Sequence, residues 1–258
     1  MITQHINTGE LHVWWANLRD FDSDVPALQA VLSSRERARA GRFRFLRNKN
    51  NHIISFGILR TLLAGYVQQS PSDLNFMIGE HGKLELRRNS CEATIHFSLS
   101  HSGDVALFAV TRDCPIGVDV EYIRPIPHCQ RLALEYFSQS EADNLFALPK
   151  ERQSTRFFNL WTRKEALLKA IGNGLENGHA IRDAFLCEPW LSYFAQETDP
   201  MQASSGWIVR SFLPTFGYIA AIAFRRPSLN ISYRNLSASF QAFPYSSSVP
   251  VPRNSGSV

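Results

Sequence analysis

The chain has 258 residues, of which 44% are hydrophobic and 19% charged, and its formal net charge at neutral pH is +4. This composition is typical of a globular protein and excludes a fully disordered or fibrous chain. No run of about 18 apolar residues occurs, so we expect no transmembrane helix. The positive charge favours an acidic partner: a nucleic acid, a phosphorylated small molecule or an acidic protein surface.

The first half of the sequence predicts both helices and strands. These are a strand at 10–18, a helical segment at 27–45, an apolar core helix at 52–67, short strands within 68–86 and two strands within 93–110. Ser33 or Ser34 is a suitable N-cap for a second helix inside the first helical segment. Ser102 and Gly103 predict the turn between the last two strands.

The second half predicts the same kinds of element. These are a strand at 116–123, a largely helical stretch at 124–148, a strong helix at 156–175, and strands at 206–214 and 217–224. From about Arg225 the sequence becomes polar and rich in Ser and Pro. Because such a stretch lacks the apolar content to fold, we expect a disordered tail at 227–258.

A weak internal repeat divides the chain. Each half offers a serine-initiated polar helix, then a long helix ending near glycine, then strands. The repeat predicts an α/β (α+β) fold of two related halves, 1–118 and 119–226. A cleft between two such halves would be a natural ligand site.

Cysteine use and the N-terminus bear on the compartment. The first 18 residues lack the basic flank and apolar segment of a secretory signal. Four scattered cysteines, without a C-x-x-C pair, are typical of a reducing compartment and argue against a zinc site. We therefore expect a cytoplasmic protein.

Two carboxylates alternate along the strand 116–123. Asp119 and Glu121 share one face because side chains alternate across a strand. That face is either the solvated side of a half-exposed strand or part of a site for a hard cation such as Mg²⁺, which prefers oxygen ligands. In the second case Glu165, from the helix 156–175, would complete the site.

The helix 156–175 carries Glu165 and Lys169 at i, i+4 spacing. They form either an ordinary surface pair or a functional one. Lys164 falls inside the apolar stripe of the helix, so its ammonium either extends to solvent or requires an anion.

Two further features could bind phosphate. Ser100, His101 and Ser102 stand near the end of a strand, where binding groups often occur. Adjacent residues on a strand point apart, and no G-x-S-x-G motif is present, so a Ser–His hydrolase is disfavoured. The basic run 35–49 is a solvated helix face, a phosphate-binding segment or a nucleic-acid patch, although no recognised nucleic-acid-binding motif accompanies it.

Together these segments resemble the 4'-phosphopantetheinyl transferases, specifically the larger monomeric class typified by surfactin-synthetase activators. The resemblance rests on Gly117-Val118-Asp119-Val120-Glu121 and on Trp161-Thr162-Arg163-Lys164-Glu165-Ala166-Leu167-Leu168-Lys169. S-L-S-H-S-G precedes them at 98–103 and G-N-G-L follows at 172–175. The similarity covers about residues 10 to 225, and the wording of 160–175 is similar to that of cyanobacterial members.

The resemblance implies two pseudo-twofold-related α/β halves with coenzyme A in the cleft between them. By matching motif positions, Asp119, Glu121 and Glu165 would hold Mg²⁺ on the pyrophosphate. Glu165 would also accept the proton of the attacking serine, and Lys169 would neutralise phosphate charge.

The resemblance also implies a set of coenzyme contacts. These are Arg39, Lys83, Ser100, His101 and Lys169. Three departures from the family pattern stand nearby: Leu84 after Gly82-Lys83, Ser98 before L-S-H-S, and the pair Asn51 and His52. The last departure removes a usual arginine, so positions 51 and 52 are left out of the binding set.

The function that this resemblance implies is transfer of 4'-phosphopantetheine from coenzyme A to a serine of acyl or peptidyl carrier proteins. The reaction would require Mg²⁺ and release 3',5'-ADP. We expect a monomer whose partners are carrier proteins and coenzyme A, with no nucleic acid and no membrane. The alternatives are a non-catalytic carrier-binding scaffold of the same fold and a nucleic-acid binder acting through 35–49.

Overall fold

Helices and strands alternate along the chain in the computed structural model, which describes residues 4–79, 83–87, 94–172, 201–202, 206–226 and 228–236. The α-helices are α1 Val25–Ala30, α2 Ser34–Ala40, α3 Leu46–Val67, α4 Cys129–Tyr136, α5 Gln139–Phe146 and α6 Lys150–Ile171. The strands are β1 Glu10–Asn17, β2 Phe76–Ile78, β3 Leu84–Leu86, β4 His96–Ser102, β5 Val105–Thr111, β6 Ile116–Tyr122, β7 Met201–Gln202, β8 Ile208–Phe212, β9 Tyr218–Phe224 and β10 Asn230–Asn235. None of the helices in this described part combines the length and apolar character needed to cross a bilayer.

The fold contains two four-stranded sheets in which three strands are connected in the same way. The first sheet is ordered β10-β1-β5-β4 and the second β6-β9-β8-β7. In the first sheet, β1 pairs antiparallel with β5, and β5 pairs antiparallel with β4. In the second sheet, β6 pairs antiparallel with β9, and β9 pairs antiparallel with β8. The mixed α/β fold is thus confirmed, and the faint sequence repeat corresponds to a repeated topology.

The two sheets pack face to face between the two long helices. Strand β5 is buried along its whole length, so it is apolar on both faces. Phe108 and Val110 belong to the core that contains α3, whereas Leu107 and Ala109 belong to the core shared with Val118 and the rest of the second sheet. Helix α6 covers the far side of the second sheet, giving an α–β–β–α order of layers.

In each half, the short helix that directly precedes the long helix has the same capping arrangement. Ser33 caps α2 and Ser138 caps α5, and each serine hydroxyl accepts the backbone N–H of the residue three positions on. Those residues, Glu36 and Glu141, return a carboxylate to the serine backbone N–H. Such a capping box satisfies two N–H groups that a helix start leaves unpaired.

The same two glutamates also neutralise a buried cation on the long helix of their half. Arg60 of α3 lies 2.8 Å from Glu36, and Lys164 of α6 lies 2.9 Å from Glu141. Lys164 is 0% exposed. Of its two predicted environments, the anion is therefore the correct one.

The predicted starts of both long helices need correction, and α3 begins at Leu46 rather than 52. Helix α6 begins at Lys150 rather than 156, because its polar first turns carry no apolar stripe for a pattern to detect. Residues 173–175 of that predicted helix lie outside the described residues. Strand β6 spans Ile116–Tyr122 and so crosses the predicted division at 118/119. The division into two halves stays a prediction, and a boundary before Ile116 would leave this strand whole.

The predicted disordered tail is wrong for residues 230–235. They form β10, which pairs in parallel with β1, and Leu236 next to it is buried in the first core. Arg234 of this strand bonds His12 and lies over the ring of Trp14. A polar edge strand carries too little apolar content to be recognised from composition; 237–258 lies outside the described residues.

We predict that Glu141→Gln lowers the free energy of unfolding by about 3 kcal/mol, because the Lys164 ammonium stays buried without a counter-charge. The amide keeps the size of the side chain and an oxygen for the Ser138 N–H. Urea unfolding at neutral pH measures the change. Glu151→Gln, at an exposed position of α6, is the matched control and should cost less than about 1 kcal/mol; equal losses would contradict the prediction.

Candidate active site

Gly117 lets helix α6 lie directly on the backbone of strand β6. A Cβ atom at 117 would come far closer than 3.0 Å to the carbonyl oxygen of Ala166 and the backbone nitrogen of Ala170. Because both atoms belong to the backbone, no side-chain rotation relieves the overlap. This close approach brings the residues before each alanine, Glu165 and Lys169, towards the carboxylate face of β6.

Asp119 is at the centre of the resulting cluster. Its Oδ1 accepts hydrogen bonds from the Ser100 hydroxyl and the Lys169 ammonium, both at 2.7 Å. Lys169 also donates to the Ser100 oxygen at 3.1 Å. Asp119 is only 5% exposed, and its Oδ2 is buried without a hydrogen-bond partner among the described residues. A solvated strand face is therefore excluded at this position.

Glu165 faces the same cluster from α6. It is 3% exposed, and its Oε1 lacks a partner within the described part of the chain. Burial raises the pKa of Glu165 to about 7, and the charge of Asp119 adds to this shift. Lys169 opposes the shift, yet it forms its ion pair with Asp119 at 2.7 Å. A surface Glu–Lys pair on the helix is therefore excluded.

Glu121 lies one strand repeat further along β6 and is half-buried. Its Oε2 accepts the Ser102 hydroxyl at 2.6 Å and the Arg124 guanidinium at 3.4 Å. Burial raises the pKa of Glu121, while the hydrogen bond from Ser102 lowers it. Asp119 raises it further, so the carboxylates of β6 interact electrostatically.

The chemistry of this donor set fits a divalent cation. Asp119 and Glu165 each present a buried oxygen that has no hydrogen-bond partner among the described residues. Beyond the effect of burial, Asp119 raises the pKa of Glu121, and Asp119 and Glu121 both raise the pKa of Glu165. An all-oxygen set of this kind suits Mg²⁺. Within the described ranges, no three ligating side chains are gathered into a closed cluster. In this arrangement one oxygen of Asp119 accepts a hydrogen bond from Lys169, and one oxygen of Glu121 accepts a hydrogen bond from Ser102.

Two basic side chains, Lys169 and Arg39, lie near His101. Desolvation lowers the pKa of His101, and the nearby charges of Lys169 and Arg39 lower it further. Arg39 belongs to α2, where it borders a cleft of about 640 Å³. The lining residues are Arg35, Ala38, Arg39, Arg42 and Phe43. Three of the predicted coenzyme contacts therefore share one electrostatic environment.

Lys83 occupies the opposite end of β6. Its ammonium donates to the carbonyl oxygens of Ile116, at 3.0 Å, and Ala170, at 3.4 Å. Burial lowers its pKa. These contacts tie the start of β6 to the end of α6 beside Gly117, so Lys83 has a structural role; its contact with coenzyme A stays a prediction.

Comparison with known proteins gives the family. A family model described as the 4'-phosphopantetheinyl transferase superfamily matches residues 115–223. The chain is 36% identical over 214 residues to the 4'-phosphopantetheinyl transferase HetI of Nostoc sp., which covers 83% of this chain and 87% of that protein. It is 32% identical over 232 residues to a putative 4'-phosphopantetheinyl transferase of Synechocystis sp., covering 89% of this chain and 92% of that protein.

The chain belongs to the 4'-phosphopantetheinyl transferase superfamily. Sfp of Bacillus subtilis, also named a 4'-phosphopantetheinyl transferase, is 30% identical over 149 residues, covering 57% of this chain and 62% of that protein. The predicted family and its likeness to cyanobacterial members are both confirmed. Within this phosphopantetheinyl transferase the two motifs at 117–121 and 161–169 lie inside the matched range.

The departures at 51 and 52 have structural partners in this transferase. Asn51 donates to the carbonyl oxygen of Gly103 at 2.8 Å and so holds the β4–β5 turn. His52 packs between the rings of Phe43 and Phe56, and burial lowers its pKa to about 4. A neutral, buried imidazole adds no positive charge to the cleft.

Ser102 was expected among the binding groups at a strand end and Ser98 only as a departure from the family pattern, but their contacts with β6 were not predicted. Both hydroxyls accept backbone N–H groups of β6, and Ser102 also contacts Glu121. The alternation of serine at 98, 100 and 102 was a usable signal, because it has the same period as the carboxylates of β6.

We predict that Gly117→Ala destabilises the protein by about 3 kcal/mol or more, because the added methyl forces α6 away from β6. Urea unfolding measures the loss. The control is Gly41→Ala, at a helical φ with ordinary van der Waals room for a Cβ, which should change stability by less than about 1 kcal/mol. A Gly117→Ala protein of wild-type stability would refute the close approach.

The raised pKa of Glu165 predicts a pH dependence of stability in the presence of a chelator. Its pKa is about 7 in the folded protein against an ordinary 4.5. The folded state therefore holds the proton more tightly, and this stabilisation, complete below pH 4.5, is lost as the pH rises through about 7.

The measurement is the urea midpoint from about pH 5 to about pH 8, compared between wild type and Glu165→Gln, which cannot titrate. The variant should lose less stability over this range than the wild type. Glu151→Gln, exposed on the same helix, should keep the wild-type slope. Parallel curves for wild type and Glu165→Gln would show that Glu165 has an ordinary pKa.

Proposed function

We propose that the protein transfers the 4'-phosphopantetheine group of coenzyme A to a serine hydroxyl of acyl or peptidyl carrier proteins, with Mg²⁺. The observation that carries this proposal is the pair of buried carboxylates, Asp119 and Glu165, beside the half-buried Lys169 in a chain of the phosphopantetheinyl transferase superfamily. Its relatives HetI and Sfp are both named 4'-phosphopantetheinyl transferases. Burying two carboxylates close together costs free energy, and such groups with shifted pKa values are concentrated at functional sites.

The carboxylates would hold the cation. Asp119 and Glu165 each have a buried oxygen available, and Glu121 lies on the same strand face as Asp119. When bound, Mg²⁺ would neutralise charge on the phosphate oxygens. These three side chains would bind the metal because all of their ligand atoms are oxygens, which Mg²⁺ prefers.

The reaction joins the serine oxygen to the β-phosphorus of coenzyme A and breaks the bond to the bridging pyrophosphate oxygen. The leaving group is 3',5'-ADP, and the serine proton must go to a base. Glu165 is suited to accept it, since its buried carboxylate faces the cluster beside Asp119 and Lys169, and a carboxylate within reach of the hydroxyl can take its proton. General-base help of this kind contributes about 10²–10⁴-fold.

Cations on the cleft wall would bind the phosphates of coenzyme A. Lys169 and Ser100 already contact each other beside Asp119, and Arg39 and His101 lie within each other's electrostatic reach. Guanidinium and ammonium groups stabilise the charge that spreads over phosphate oxygens during transfer. Lys83 would join this set at the β3 side of the cleft.

We further propose that the protein acts as a monomer on carrier proteins and binds no nucleic acid. Arg47 of the basic run forms an ion pair with Asp104, while Arg35, Arg39 and Arg42 line the cleft. This division favours a phosphate site over a continuous nucleic-acid surface. The cytoplasmic location expected from the cysteine pattern stays a prediction.

Intact-mass spectrometry tests the activity. Wild-type protein, coenzyme A and Mg²⁺ should add one phosphopantetheine to an apo carrier protein. Asp119→Asn keeps the size and one oxygen of the side chain but removes the charge, and we expect a loss of at least about 10²-fold in rate. Asp20→Asn, at an exposed position of the 3₁₀ helix Leu18–Asp24, should keep the wild-type rate.

Failure of the wild type to modify any of several apo carriers would overturn the proposed function. Calorimetry with coenzyme A and Mg²⁺ then identifies what remains: binding without transfer would indicate the non-catalytic scaffold. A near-normal rate for Asp119→Asn would remove Asp119 from the catalytic cluster.

A further inference from the structure

Strands β4 and β6 are each at the edge of their own sheet. Hydrogen bonds from the backbone of β6 to serine side chains of β4 join the two edges. Three alternate N–H groups of β6 donate to three alternate serine hydroxyls of β4, which we call the serine ladder. The pairs are Val118 N to Ser98 Oγ at 3.1 Å, Val120 N to Ser100 Oγ at 3.4 Å, and Tyr122 N to Ser102 Oγ at 3.2 Å.

The ladder satisfies groups that an edge strand leaves unpaired. In an antiparallel edge strand every second N–H points away from its neighbour. On β6 the residues 118 and 120 are buried, so an unpaired N–H there would cost about 1–3 kcal/mol. The serine ladder therefore stabilises the contact between the first and second halves of the fold.

Two of the three serines have a second partner. A hydroxyl can accept one hydrogen bond while it donates another. Ser100 donates to Asp119 at 2.7 Å, and Ser102 donates to Glu121 at 2.6 Å. Each of these serines thus holds a carboxylate of β6 and the N–H of the residue that follows it.

Ser98 differs from Ser102 in this respect. Its hydroxyl accepts the Val118 N–H, but among the described residues it makes no hydrogen bond to a carboxylate. The two positions have the same residue type, strand and backbone contact. They therefore separate the role of joining two edges from the role of orienting a carboxylate.

We infer that Ser102 is a positioning residue, which orients Glu121 for the divalent cation through its 2.6 Å hydrogen bond. The inference rests on the proposed function, since it assigns Glu121 to the cation. Hydrogen bonds to a ligating carboxylate typically change metal affinity by about 10–100-fold. Because Ser102 belongs to β4, the first half of the fold would determine the geometry of a ligand carried by the second.

The test measures cation binding directly, without substrate turnover. Binding of Mn²⁺, a probe for the Mg²⁺ site, is followed by electron paramagnetic resonance on the full chain. Ser102→Ala should raise the dissociation constant about 10-fold, whereas Ser98→Ala should leave it unchanged. Urea unfolding should show the larger loss of stability for Ser98→Ala, because the Val118 N–H is buried whereas Tyr122 is exposed, so a weaker Mn²⁺ affinity in Ser102→Ala cannot come from a greater loss of stability. Ser102→Thr restores the hydroxyl and should recover most of the affinity.

Three outcomes would overturn the inference: wild-type affinity in Ser102→Ala, equal weakening in both alanine variants, and no Mn²⁺ binding by the wild type. The carrier-modification assay on the wild type decides the proposed function separately. A protein that shows the expected binding pattern but modifies no carrier would retain the Ser102 assignment and lose the proposed function.

Discussion

The backbone contact between α6 and β6 at Gly117 is the constraint on which the site depends. It is possible only without a Cβ atom, and it brings Lys169 of the helix within 2.7 Å of Asp119 on the strand. Lys83 holds the same junction at the start of β6, and the serine ladder holds the opposite edge of that strand. Strand β6 is therefore fixed by both halves, so the orientation of its carboxylates is a property of the whole fold.

The two halves share a frame but differ in chemistry. In each, the glutamate of a capping box on a short helix also neutralises a buried cation on the long helix: Glu36 with Arg60, and Glu141 with Lys164. A buried ion pair contributes little net stability compared with apolar packing, yet breaking it is costly. Such pairs therefore fix how each long helix lies on its capping helix, and the second half uses this fixed helix to present Glu165.

Much of the site was predictable because its residues follow local periodicities. Alternation along β6 placed Asp119 and Glu121 on one face, and i, i+4 spacing joined Glu165 to Lys169. The actual ion pair of Lys169 with Asp119 was not predictable, since it depends on how closely two separate elements approach. The partner of Lys164 could not be predicted for the same reason. Strand β10 was not predicted because hydrogen bonds to β1, rather than its own apolar residues, stabilise it.

The charge balance of the cluster explains its electrostatics. Three carboxylates, Asp119, Glu121 and Glu165, face two cationic partners: Lys169, which pairs with Asp119, and Arg124, which pairs with Glu121. Glu165 forms no ion pair with the described residues, and burial together with the charge of Asp119 raises its pKa to about 7. A proton can balance this charge at the cost of a base, whereas a divalent cation would balance it with one positive charge to spare. That surplus would suit a pyrophosphate group. The charges of Asp119 and Glu121, which add to burial in raising the pKa of Glu165, would therefore also favour binding of a cation together with an anionic substrate.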